Sequence, residues 1–324
     1  MTDNPSATPE GTSDLTSDLT SDQLAQLVDH RFPGGTYRVA HWENWLLTDC
    51  TGRSPMPDAL VHPIVLFHAP ILGAGTSIAE LFRLGGASGE SGSVGLLGYD
   101  WEYFRPIRED VEFRVTGGIV AAERLTSSAG AVADRVAFQI ELHEPAEPDA
   151  ADAADAADAA DAAGEAGTLV ARVTNRWQFR RTSAHLPPAR TEPQSPATGA
   201  VIPTWEMPSV DAARMKTMAA LLRDPYPVHW DRSANEPIGL AGRVINQGPL
   251  NLSYVANMLM AWAGPTSIRR LTVSFGRPVL DGDQVIAGGQ VRSVVGGIAT
   301  CDVWLARGDE RVVIGTAEVA APPS

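Results

Sequence analysis

Cysteine is scarce: Cys50 and Cys301 are the only two in 324 residues, which excludes a disulfide framework. No apolar run reaches the roughly 18–20 residues that a membrane-crossing helix requires, so no membrane contact is expected. The opening stretch, Met1 to Asp22, is rich in Ser, Thr, Asp and Pro and lacks both the basic start and the apolar core of a secretory signal. There is no Gly-x-Gly-x-x-Gly after a strand, no Walker loop and no His-Glu-x-x-His. No Cys/His cluster has metal-ligand spacing. The Gly-Gly pairs at 85–86, 117–118, 288–289 and 296–297 fall at strand edges and helix ends, where glycine marks a turn or bulge. The expectation is a cytoplasmic protein with no metal and no cofactor.

Basic residues are also outnumbered, and the formal net charge is −14. Residues 1–30 hold six acids and residues 144–165 hold eight, neither stretch carrying a Lys or Arg, which accounts for the whole imbalance. The acidity therefore belongs to two tails or loops, where it favours solubility. With no basic stripe, nucleic acid is not an expected partner.

What remains is ordinary for a globular chain, with 44% hydrophobic and 20% charged residues, and is long enough for two domains with their own cores. Residues 1–33, with Ser-Asp-Leu-Thr at 13–16 and again at 17–20, read as a disordered acidic tail, with at most a helical turn over Asp22 to Asp29. Residues 34–184 form a first domain and residues 209–324 a second. Between them, residues 185–208 are rich in Pro, Thr and Ser and read as a linker. Within the first domain, residues 149–165 carry a run of Asp-Ala-Ala triplets whose period of three does not match an amphipathic helix. That run is a solvated loop or a frayed alanine-rich helix.

The two domains repeat one another. Leu46-Leu47-Thr48-Asp49 is matched by Leu221-Leu222-Arg223-Asp224, and Ala69-Pro70-Ile71-Leu72 by Gly248-Pro249-Leu250-Asn251. Each of the latter opens a helical stretch, Leu72 to Leu84 and Leu252 to Trp262, ending at glycine. Segments containing Arg-Pro follow, Tyr103–Ile107 and Ser274–Val279. Alternating, β-branched strands are expected near 93–104, 110–123, 131–142 and 168–180, and near 268–276, 284–295, 298–307 and 311–319. Each half is then one long apolar helix with an antiparallel meander. Val255, Met258, Leu259 and Trp262 recur at helical spacing, so that helix is expected to be wrapped by its sheet. The fold class is α+β, a double hotdog, and the Asp-Ala-Ala insertion falls between two strands, where it costs little.

The most specific local signal is Asp224-Pro225-Tyr226-Pro227-Val228-His229-Trp230-Asp231. It resembles the hydratase motif of the MaoC-like family, Asp-x-Asn-Pro-Ile/Val-His-x-Asp/Asn, with Tyr226 standing where the family has Asn. The segment from 211 to 319 fits that family throughout, and the first half fits as a degenerate partner copy. The resemblance implies an (R)-specific hydratase or dehydratase interconverting trans-2-enoyl and 3-hydroxyacyl thioesters, with Asp224 and His229 as catalytic acid/base. The carrier is expected to be coenzyme A rather than an acyl-carrier protein.

The chemistry supports the same pair. Hydrating a double bond conjugated to a thioester needs a proton acceptor for water, a proton donor for C2 and donors for the enolate oxygen. Asp224 and His229, five apart on a turn stiffened by Pro225 and Pro227, can converge on one water from opposite sides. Asp231 is expected to orient the loop or cap the next turn. In Asn246-Gln247-Gly248-Pro249, the Gly-Pro pair suits a helix start, whose free N–H groups favour developing negative charge. The Gly248 N–H is the candidate oxyanion donor, because glycine lets a carbonyl approach closely; the bland alternative is that Gly-Pro merely starts a buried helix. Gln247 stands where related hydratases often have His. Tyr226, Asn246, Gln247 and Asp231 are candidate pocket residues, and Arg269, Arg270 and Arg277 are candidate phosphate contacts.

In the first half Ser54 occupies the place of His229, while His62 and His68 lie at the wrong spacing. That half is read as catalytically silent, either enlarging the cavity or only completing the sheet. Two other functions stay open: a hotdog thioesterase using the same helix start, and a non-catalytic acyl-thioester-binding accessory protein. A homodimer and an intrachain pseudo-dimer are both compatible with the sequence.

Overall fold

A computed structural model describes residues 19–67, 69–87, 93–145, 167–182, 199–240 and 242–322. The elements run in the order α1 (Ser21–Leu27), β1 (Gly35–Arg38), α2 (His41–Cys50), α3 (Ala69–Gly73), α4 (Ile78–Leu84), β2 (Val94–Tyr103), β3 (Glu112–Thr126), β4 (Val132–Glu144) and β5 (Thr168–Arg180). The second half supplies β6 (Val201–Met207), α5 (Ala212–Leu222), α6 (Gly248–Ala263), β7 (Ile268–Phe275), β8 (Val285–Val295), β9 (Ile298–Arg307) and β10 (Glu310–Ala320).

The strands form a single antiparallel sheet in the order β1-β3-β4-β5-β2-β7-β10-β9-β8-β6. The sequence repeat reappears as mirrored strand order, five strands from each half meeting where β2 pairs β7, with Gly98 opposite Ser274 and Trp101 opposite Leu271. The strand spans expected from alternation agree with β2–β5 and β7–β10 to within a few residues. Helix α6 is buried on every side from Pro249 to Met260, as a helix apolar all round must be.

Three expectations need correction. The first half has no long central helix: Leu72 to Leu84 is split into the end of α3 and α4. A Cβ on Gly73 would stand 2.6 Å from that of Tyr37, and Gly75 adopts φ +74°. The chain therefore turns there and restarts as α4, whose N-cap Ser77 accepts from the Glu80 N–H at 3.1 Å. The expected linker contributes β6, an edge strand whose register shifts between Ile202 and Trp205, where Pro203 can offer no N–H. The expected tail contains α1, closed by a capping box of Thr20 and Gln23 and anchored by buried Leu24. Residues 1–18, the Asp-Ala-Ala run and residues 183–198 lie outside the described residues. The run interrupts the hairpin of β4 and β5, whose last rung pairs Glu144 with Thr168.

Polar groups in the first half are tied into its core. Asp134 accepts from Arg124 Nε at 2.7 Å and Arg181 Nε at 2.8 Å. Burial alone would raise the Asp134 carboxyl, but the two guanidiniums outweigh it and hold the group below the usual carboxylate range. Arg181 also donates to the carbonyls of Gly85 and Gly86, fixing the end of α4 against the sheet.

Candidate active site

Helix α5 ends at Arg223, which takes the left-handed φ of 50° and turns the chain toward Asp224. Asp224 Oδ1 accepts the Tyr226 N–H at 3.0 Å, so the Asp-Pro-Tyr-Pro segment closes a tight turn. Pro227–His229 then form one 3₁₀ turn. His229 Nδ1 lies 2.8 Å from the Ile245 carbonyl oxygen. A carbonyl only accepts, so Nδ1 carries a proton, and Nε2 is the nitrogen left to exchange one. That atom lies 3.9 Å from Asp224 Oδ2. The carboxylate and the imidazole are thus brought together and both are largely shielded, with side-chain exposures of 8% and 15%.

Both groups face a cavity of about 290 Å³. The start of α6 lines the same cavity through Gly248, the first helical residue, whose N–H has no intrahelical acceptor. No side chain caps this helix, and the Gln247 Nε2 group donates to the Met215 carbonyl at 2.9 Å. Asn246 donates through Nδ2 to Asn251 Oδ1 at 2.7 Å. Tyr226 lies edge-on to both Phe82 and His229, and its hydroxyl donates to the Val94 carbonyl at 3.3 Å. Asp231 is not a lining residue: its Oδ1 accepts from the Ser233 N–H at 2.9 Å and from the Ser233 hydroxyl at 2.6 Å, stabilising the carboxylate in an exposed turn. Of the three candidate arginines only Arg277 borders the cavity. Arg270 is engaged with Asp100 at 2.7 Å, and Arg269 donates to Thr266 at 2.7 Å.

Two groups of residues escaped the sequence. Asn235 is fully buried and donates to the carbonyls of Val228 and Arg243, each at 2.9 Å, so it clamps the loop that carries His229. The far wall comes from the first half: Phe67, Ile78, Phe82, Val94, Leu96 and Trp177. This apolar wall stands beside the break between α3 and α4. Among the described residues, no group of three or more His, Cys, Asp or Glu could hold a metal ion, and no helix is long and apolar enough to cross a membrane.

The first half borders a separate cleft of only about 30 Å³, lined by Tyr103, Arg105, Ile268 and Arg269, and neither Asp49 nor Ser54 reaches it. His68 lies outside the described residues. His62 is fully buried; it accepts the Ile64 N–H at Nδ1 at 3.0 Å, and its Nε2–H donates to Asn257 Oδ1 at 2.9 Å. Both nitrogens of the neutral ring are satisfied, and the second bond pins the first half to the middle of α6. Burial pushes the His62 pKa down to about 3, with nearby Arg53 adding to the effect. In the unfolded chain the ring titrates near its ordinary value of about 6.5. Its contribution is therefore fully present above that value and is lost as the pH falls toward 3, at up to about 1.4 kcal/mol per pH unit. Urea unfolding at a series of pH values should show a shallower acid slope for His62→Gln than for the parent.

The class of protein follows from mirrored half-sheets, one long wrapped helix and a site at its start: the fold is a double hotdog. A MaoC-like dehydratase from Phytophthora capsici superposes with a TM-score of 0.62 at 12% identity, over 94% of this chain and 100% of that one. A Mycobacterium tuberculosis protein described as a double hotdog gives 0.58 at 12% identity, over 92% and 97%. A putative oleoyl thioesterase from Lactobacillus plantarum gives 0.52 at 13% identity, over 91% and 96%. At such identities the likeness is one of fold. No protein-family model and no curated protein matches the chain.

Proposed function

We propose that the chain is a hydratase/dehydratase interconverting trans-2-enoyl and (R)-3-hydroxyacyl thioesters. The observation that carries this reading is the Asp224–His229 pair, 3.9 Å apart beside the open start of α6 in one cavity. A water held between the two groups gives one proton to the basic pair as its oxygen bonds to C3. The π electrons move to the thioester oxygen, where the Gly248 N–H and the helix dipole stabilise the enolate. The enolate then collapses with proton transfer from the pair to C2, so the site ends in its starting protonation state. The acyl chain lies against the wall from the first half. Coenzyme A is the carrier in this reading; Arg277 at the cavity border is paired with Glu310 at 3.4 Å and would exchange that partner to meet an anionic group.

A thioesterase would use the same helix start, and the Lactobacillus plantarum neighbour keeps that reading alive. Incubation with a crotonyl thioester separates the two. Loss of the enoyl chromophore without thiol release is the expected result; stoichiometric thiol release without 3-hydroxyacyl product would assign the site to hydrolysis.

A further inference from the structure

Two polar side chains on the inner face of the first half's sheet take no part in the reaction proposed above. Tyr99 on β2 and Asn175 on β5 are register partners, and both are fully buried. The Tyr99 hydroxyl and both amide atoms of Asn175 have no hydrogen-bond partner among the described residues. They do not bond each other, although as register partners their Cβ atoms stand about 4.5–5.5 Å apart. Buried polar groups are nearly always satisfied, so three orphans on one rung call for an occupant.

The rung's position indicates what the occupant is. Beyond Gly98 and Arg176, the next pair on this face toward the cavity is Leu96 and Trp177, both of which line it. A bulge between Leu96 and Gly98 keeps Leu96 and Tyr99 on the same face, as Asn175 and Trp177 are by strand alternation. Phe67 and Phe275 meet the Tyr99 ring edge-on, with centroids 5.0 and 6.0 Å away, and both also line the cavity. The polar rung therefore sits directly behind the apolar wall. Burial, reinforced by the Asp224 charge, keeps the Tyr99 hydroxyl neutral and hence a donor.

We infer that Tyr99 and Asn175 recognise an oxygen substituent, hydroxyl or carbonyl, carried on the acyl chain beyond the reacting carbons. Either oxygen accepts from the Tyr99 hydroxyl. A hydroxyl can then donate to Asn175 Oδ1, whereas a carbonyl accepts from Asn175 Nδ2. Neither residue borders the cavity itself, so the Phe67 ring packed edge-on against Tyr99 has to give way for the chain to reach the rung. This inference rests on the acyl-thioester reading of the cavity, but not on hydration itself.

The test is calorimetric titration with saturated 2-oxoalkyl thioethers of coenzyme A, which keep the carbonyl but, with a methylene between it and sulfur, can be neither hydrated nor hydrolysed. One series has an unsubstituted chain, and the others carry a hydroxyl or a ketone at successive carbons. One oxygenated position should bind about ten-fold or more tightly than the plain chain. Tyr99→Phe and Asn175→Leu should each abolish that preference while leaving plain-chain affinity equal or improved. Ligand-free Tyr99→Phe should melt no lower than the parent, since it deletes only an unpartnered oxygen. Three results would overturn the assignment: no oxygenated analogue outbinding the plain chain, a preference surviving both substitutions, or a lowered melting temperature, which would mean that internal water already holds the hydroxyl. Failure of every analogue to bind would sink the acyl-thioester reading together with this one, whereas binding without turnover on an enoyl thioester would remove hydration alone.

Discussion

Asp224→Asn is expected to lower kcat for enoyl-thioester hydration by three orders of magnitude or more, with little change in thermal stability. The side-chain oxygen that accepts the Tyr226 N–H at 3.0 Å is kept in Asn, so the turn survives. What is lost is the basic oxygen facing His229 Nε2. A positioned acid/base contributes about 10²–10⁴-fold, and here two groups handle one water. His229→Gln should cause a loss of similar size. The double variant should be little worse than either single one, because groups that act as a unit are strongly non-additive. Steady-state kinetics on a crotonyl thioester measure all three. Near-parental turnover by both single variants would remove the mechanism, and strictly multiplicative losses would show that the two residues act independently.

The pair was legible because its information is local: a proline-stiffened turn fixes which way Asp224 and His229 face, whatever lies beyond. Strands β7–β10 were legible for a related reason, since alternation and turn residues mark them within the segment itself. The break in the first half's helix was also written in the sequence, as Gly73-Ala74-Gly75-Thr76. Apolar spacing on either side concealed it, and the decisive fact is tertiary: Tyr37 lies too close for any side chain at 73. Thr20 and Gln23 form a capping box that acidic, polar surroundings masked. The cavity wall was out of reach. Nothing local announces that Val94 and Leu96 line the cavity that His229 faces, since β2 is brought there by pairing with β7 across the chain's two halves.

Gly248 offers a second large effect, and a way to separate its N–H from its lack of a side chain. A Cβ at this position would stand 2.5 Å from the Leu96 methyl and 3.2 Å from the Phe275 ring, so any substitution alone mixes crowding with chemistry. Leu96→Ala removes the nearer obstacle. In that background, Gly248→Ala keeps the N–H, while Gly248→Pro replaces it with a ring carbon. Proline is tolerated at the first helical position, where the N–H has no helical acceptor. Gln247 already has the extended ψ of 140° that a following proline demands. The two double variants should therefore fold alike and differ in one donor. If that donor stabilises the enolate, the proline variant should lose about 10²–10³-fold in kcat relative to the alanine variant, as loss of an oxyanion donor does elsewhere. KM should move little, because the interaction strengthens only as charge reaches the thioester oxygen. Equal kcat values would leave Gly248 as a packing residue and transfer the oxyanion role to another donor lining the cavity.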